Sequence, residues 1–219
     1  MADFRIAVLA SGAGSNLQAL IDAIADGALA ADIVGVFSDK ARCLALQRAG
    51  AAGIATTALS PRDFASREAF DAALFAAVDA ARPNLIVCAG YMRIISAAEI
   101  AARPGRMINL HPSLLPAFKG LYTHRRALEA GVAEHGASVH VVTADLDDGP
   151  VIARARVPVA AGDDEAALAA RVRAVEHPLL VETVGLLAEG RLRLQAGRIF
   201  LNGTPLAAPL QLGANRRLA

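Results

Sequence analysis

The sequence predicts an α/β fold: a mostly parallel, twisted sheet flanked by helices, with antiparallel strands toward the C-terminus. Two features of the first half carry this. Short apolar runs bounded by turn residues recur along it, and segments with helical spacing separate them. Beyond the middle, "GASVHVVT" and "PVIARARVPV" alternate every second residue around "ADLDDG", the pattern of an antiparallel pair.

Taken in order, "RIAVLA" at 5–10 reads as a buried parallel strand that ends on the glycine loop "SGAGSN". "NLQALIDAIADG" places Leu17, Leu20, Ile21 and Ile24 on one helical face, with Gly27 as its C-cap. Asp32–Ser38 is a second strand, "CLALQRAGAAG" a short helix and 54–59 a third strand. A long helix is expected over 66–82, capped by Ser66, then a strand over 84–90, a short helix at "AAEIAAR" and a strand at Met107–His111. "THRRALEAG" has helical spacing. "DDEAALAARVRAVEHPLLVETVGLLAEG" reads as one long helix kinked or broken at Pro178, because proline lacks the N–H and crowds the preceding turn. "RLRLQAGRIFLNG" reads as a hairpin turning at Gly197. We expect one catalytic domain over 1–205, with halves of about 1–105 and 106–205, and a loosely held tail over 206–219.

Bulk properties narrow the function. The 219 residues balance 22 basic against 21 acidic side chains, so no basic excess points to nucleic acid. No apolar stretch approaches the roughly 18–20 residues needed to span a membrane, and the N-terminus lacks a secretory pattern. We therefore expect a soluble cytoplasmic protein with no nucleic-acid or membrane partner. Cys43 and Cys88 are too few for a disulfide framework or a cysteine zinc site, and Cys88 reads as a small buried hydrophobe.

Two places carry chemistry. In "ASGAGSN", glycine permits close backbone approach, and Ser15, Asn16 and the first-turn N–H groups of the helix can hold an anion. The dinucleotide fingerprint is broken, since position 17 is leucine, and no Gly-Lys-Ser/Thr of a P-loop follows. A compact phosphate site and an ordinary strand–helix turn both fit this loop. In "NLHPSLLPAFKG", Asn109 and His111 lie two apart on a strand and so share a face. Asp147 supplies a carboxylate from the later turn. An amide, an imidazole and a carboxylate suit acyl transfer: the amide N–H binds a developing oxyanion, and the carboxylate raises the histidine pKa to favour its charged form. The competing reading is that these residues only satisfy local hydrogen bonds and turns. His140, alternating with Ser138, and His124, at a helix start, compete with His111. A zinc site from His111, His140 and Asp147 has no supporting ligand spacing, and no serine elbow is present.

"SGAGSNLQALID", "CAGYMRIIS", "NLHPSLLPAFKGLYTH", "EHGASVHVVTADLDDGPVI" and "RVRAVEH" occur in this order over almost the whole chain. In these the sequence resembles the phosphoribosylglycinamide formyltransferase family of folate-dependent enzymes. The resemblance implies a formyltransferase fold with a Rossmann-like N-terminal half. It implies 10-formyltetrahydrofolate as co-substrate, no metal, and transfer of the formyl group to the primary amine of glycinamide ribonucleotide in purine biosynthesis. The implied catalytic residues are Asn109, His111 and Asp147. Gly14, Ser15, Asn16 and Glu176 would bind the ribonucleotide. Arg67, Met92, Arg93, Ile94, Ile95, Asn109, Thr143 and Asp147 would bind folate. The implied assembly is a monomer or homodimer. The chain departs from the family pattern at Ala13 (for asparagine), Arg173 (for glutamine) and Asp148 ("DDG" for "DGG"). Methionyl-tRNA formyltransferase would be expected to add a basic RNA-binding domain, and formyltetrahydrofolate deformylase an N-terminal regulatory domain. A non-catalytic binder of phosphorylated sugars or folate is the third alternative.

Overall fold

The computed structural model describes residues 3–195 and 197–219. The chain forms two compact units, Met1–Asn109 and Leu110–Ala219.

The first unit is built on parallel strands in the order β5-β4-β1-β2-β3. They are β1 (Arg5–Leu9), β2 (Asp32–Ser38), β3 (Thr56–Ala58), β4 (Leu85–Cys88) and β5 (Met107–His111), the last of which runs on into the second unit. Ile6, Ala7, Val8, Leu9, Ile86 and Val87 are fully buried. Strands covered on both faces need apolar residues at every position, which is why these runs do not alternate. Helices α1 (Ser15–Ala25), α2 (Leu44–Ala51), α3 (Arg67–Ala80) and α4 (Ala97–Ala101) connect the strands. Ser66 caps α3 by accepting the Ala69 N–H at 3.1 Å. That helix buries Phe70, Leu74, Phe75 and Val78 along one stripe. Each large side chain so buried contributes about 1.5–3 kcal/mol.

In the second unit, β6 (Glu134–Val141) lies between β5 and β7 (Val151–Pro158) and pairs with β7 antiparallel. The register shifts between Val139 and His140, where Ile152 is the extra residue. α5 (Thr123–Glu129) precedes the pair and α6 (Glu165–Ala188) packs on both of its strands. α6 is the one long helix read from the sequence, and it runs through Pro178 without the break that was one of the two outcomes expected there. Leu179, Leu180, Thr183, Val184, Leu186 and Leu187 are buried just beyond it, and this packing outweighs one missing backbone bond.

β8 (Leu192–Gln195) and β9 (Arg198–Leu201) form the expected hairpin, with Gly197 in the left-handed region, and β10 (Thr204–Pro205) completes a small antiparallel sheet. The tail is tied down more firmly than its sequence pattern suggests. β11 (Leu210–Gln211) pairs in parallel with β7, Leu210 is buried, and Glu182 holds Arg217 and the Leu218 N–H.

Candidate active site

In the second unit β5 ends on His111, which is 5% exposed. Its Nε2 lies 3.0 Å from the Phe118 carbonyl, which can only accept, and its Nδ1 lies 3.4 Å from Asp147 Oδ2. The loop that carries Phe118 is well anchored. Ser138 Oγ donates to the Ser113 carbonyl at 2.7 Å and accepts the Leu115 N–H at 3.1 Å. Arg154 donates to the Leu115 carbonyl, and Arg126 to that of Lys119 at 2.5 Å.

Asp147 sits in the left-handed region at φ 48° and accepts the Gly120 N–H at 2.9 Å. Its second oxygen lies 3.5 Å from His140 Nε2, while His140 Nδ1 donates to its neighbouring carbonyl at Val141. Gly149 is required close by, since a Cβ there would stand 1.8 Å from the Val141 carbonyl oxygen. Asp148, unassigned from sequence, pairs with Lys119. Asp147 and Asp148 thus meet adjacent residues of one loop.

Once Nε2–H of His111 donates to Phe118, a neutral ring turns a lone pair toward Asp147, and protonation of that ring removes the repulsion. Burial lowers the His111 pKa; the Phe118 carbonyl and Asp147 push it up, and His140 and Arg126 oppose them. The net direction is down. Asp147 pulls in the expected direction, but desolvation is larger. For Asp147 burial is again the largest influence and raises the pKa, but His140, the Gly120 N–H and the His111 charge together bring it below the ordinary value.

The sequence placed Asp147 near His111 by chemistry alone, and the structure brings the two together. It also brings in His140, which the sequence offered as a competitor of His111 that, alternating with Ser138 on a strand, could point into the same cleft. Asn109 is half-buried on β5 opposite Cys88, two residues before His111 and so on the same face of the strand. Thr143 Oγ1 donates to the Asp145 carbonyl at 3.3 Å, and Glu176 is half-buried on α6. Arg173 is exposed on α6, and its charge reaches His124.

His124 begins α5, as expected, and its Nδ1 lies 3.2 Å from Nε2 of His135, which is fully buried. Burial, then the charges of His124 and His111, push His135 down to about 4 against an ordinary 6.5. Between those values the unfolded chain binds a proton that the folded chain refuses, so stability falls as pH falls through the window. Urea unfolding at pH 7.5 and 4.5 should show about 2–3 kcal/mol lost through this group, and His135→Gln should flatten the slope by about one proton. An unchanged slope would refute it.

The first unit holds the glycine loop. Gly14 caps α1 at φ 70°, and a Cβ there would lie 2.7 Å from Ala45 Cα, so only glycine fits. The Gly12 carbonyl accepts the Ala45 N–H at 3.1 Å, and the Ala13 carbonyl accepts Arg48 Nε–H at 2.9 Å. Both carbonyls of the loop are thus engaged by α2, and Ser15 and Asn16 form the first residues of α1 directly after the loop. Arg67 opens α3, half-exposed beside Glu68. Met92 and Ile94 are 65% and 53% exposed, whereas Ile95 is buried, and Arg93 lies over the Phe70 ring at 5.0 Å. The Cys88 thiol is buried and pushed up to about 12, as an inert core residue should be.

A sequence profile of the family described as formyl transferase matches residues 4–184. The chain belongs to the formyl transferase family. This family assignment makes it a formyl-transferring enzyme. It is 48% identical over 202 residues to the phosphoribosylglycinamide formyltransferase of Escherichia coli K12, covering 92% of this chain and 95% of that protein. Among solved structures, the phosphoribosylglycinamide formyltransferase of Coxiella burnetii superposes with a TM-score of 0.89 at 46% identity, covering 93% of this chain and 96% of that one. Glycinamide ribonucleotide transformylase 1 of Symbiobacterium toebii gives 0.87 at 44% identity, covering 90% and 93%. The mostly parallel sheet with flanking helices is thus the fold of the family. Among the described residues no helix is long and apolar enough to cross a membrane, and no cluster of three or more His, Cys, Asp or Glu is placed to hold a metal ion.

Proposed function

We propose that the chain transfers the formyl group of 10-formyltetrahydrofolate to the primary amine of glycinamide ribonucleotide, in the de novo synthesis of purines. The observation that carries the proposal is the pairing of Asp147 with His111, itself two residues after Asn109, in a member of the formyl transferase family. Extensive identity to a protein of that named activity supports the substrate.

The neutral amine attacks the formyl carbon. A new C–N bond forms, the bond from the formyl carbon to the folate nitrogen breaks, and the amine proton passes to the departing nitrogen through water, or through His111 once one of its ring nitrogens is released. Negative charge develops on the formyl oxygen, and the Asn109 amide donates to it. Both nitrogens of His111 already face acceptors, so the ring acts on that oxygen through its charge. Asp147 supports that charge. Direct N–H donation would require Phe118 or Asp147 to release the ring.

Gly14, Ser15 and Asn16 take the ribonucleotide phosphate, and Glu176 a ribose hydroxyl. Arg67, Arg93 and Thr143 meet the polar parts of folate, and Met92, Ile94 and Ile95 its ring. The exposed apolar side chains of Met92 and Ile94 suit a flat aromatic ligand, because apolar area left in water is recovered when a ring covers it.

Incubation with 10-formyltetrahydrofolate, with and without glycinamide ribonucleotide, tests the reading. Tetrahydrofolate should form only when the amine is present. Formate release without it would make the protein a deformylase, and binding of both substrates without transfer would make it a non-catalytic binder.

A further inference from the structure

Asp71 places a carboxylate at zero exposure on α3, and the chemistry above does not use it. Burying an ionised group is costly unless its surroundings compensate. Its Oδ2 accepts the backbone N–H of Ser96 at 2.7 Å. Burial is the largest influence on its pKa and raises it; the Ser96 hydrogen bond, then Arg67 from its own helix and Arg93 from the segment after β4, act against that rise. Tyr91 belongs to the same group: its phenol pKa is pushed up by burial first, then by the charges of Asp71 and Asp39. Asp71 Oδ1, the Tyr91 hydroxyl and Arg93 Nε are buried with no hydrogen-bond partner among the described residues. The carboxylate therefore acts on its neighbours through charge as well as through one hydrogen bond.

The segment 91–96 is pinned at both ends. Near its start the Met92 N–H donates to Ser11 Oγ at 3.0 Å, and that hydroxyl donates to Asp39 at 2.6 Å. At its other end is the bond from Ser96 to Asp71. Between the two anchors lie Arg93, Ile94 and Ile95, with Arg93 also over Phe70, the residue next to Asp71.

We propose that Asp71 is a positioning residue: it fixes the 91–96 segment and the Arg93 guanidinium in the arrangement that receives folate. This rests on the reading of that segment as a folate-binding wall. A neutral amide at position 71 would keep the acceptor for Ser96 and lose the charge that orders the arginines. Alanine would lose both.

The test uses full-length wild type, Asp71→Asn and Asp71→Ala. It measures kcat, KM for each substrate, the Kd of tetrahydrofolate by calorimetry, and thermal unfolding. Asp71→Asn should raise the KM for 10-formyltetrahydrofolate and the Kd of tetrahydrofolate about 3- to 10-fold. Its kcat at saturation and its KM for the amine ribonucleotide should change less than about twofold. Asp71→Ala should give a larger rise of the same kind; if it does not fold, Asp71→Asn decides. A folded Asp71→Asn with unchanged folate KM and Kd overturns the proposal, as does a loss spread equally over both substrates or confined to kcat. Wild type that neither binds tetrahydrofolate nor transfers formyl would instead overturn the folate reading itself.

Discussion

Replacing His111 with alanine should lower kcat for formyl transfer by about 100- to 1,000-fold, with folate binding largely kept. This is the size of loss when one group that stabilises a developing oxyanion is removed. The ring is buried, so its removal also carries a structural cost. The Phe118 carbonyl loses a donor, worth about 1 kcal/mol, and a cavity opens at the end of β5. Thermal unfolding separates that cost from the kinetic one: a protein still folded at the assay temperature should bind tetrahydrofolate and fail to turn over. His111→Gln distinguishes charge from hydrogen bonding, because glutamine offers a donor and no charge. If the ring acts by charge, glutamine should rescue little. Asn109→Ala should cost a similar factor for a different reason, the loss of a neutral donor. Near-normal turnover in either alanine variant would remove that residue from the mechanism.

The features legible in the sequence were those fixed by local chemistry. β2 and β5 have the bounds read from the sequence, because short, mostly apolar runs between helical segments suit strands of a parallel sheet covered by helices. Ser66 announces α3, because its hydroxyl can satisfy a first-turn N–H more easily than any neighbour. β3 is shorter than its sequence run, as suits an edge strand with one neighbour. Whether α6 would break at Pro178 was not legible, since local propensity counts the missing N–H and not the buried leucines that hold α6 together. In the candidate site, the residue types at 109, 111 and 147 suggested the chemistry. The weight of desolvation on His111 did not follow from them, because burial depends on the whole packed unit.

Asp147→Asn should reduce kcat about 100-fold at neutral pH and should also change the shape of the pH profile. Asparagine can still accept the Gly120 N–H, so the loop around position 147 should keep its anchor. What it loses is the charge that opposes the desolvation of His111. The His111 pKa, already below 6.5, falls further, and less of the ring is charged at any given pH. Acidification restores that fraction, so activity in the variant should rise as pH falls below 6.5, where the ring titrates. Protonation of the substrate amine works the other way, because only the neutral amine attacks. The variant optimum should therefore lie at lower pH than that of the wild type, and the ratio of their rates should narrow with acid. kcat measured from pH 5 to 9 for both proteins decides. Parallel profiles, offset by a constant factor, would mean that Asp147 shapes the loop or binds folate without setting the charge on His111.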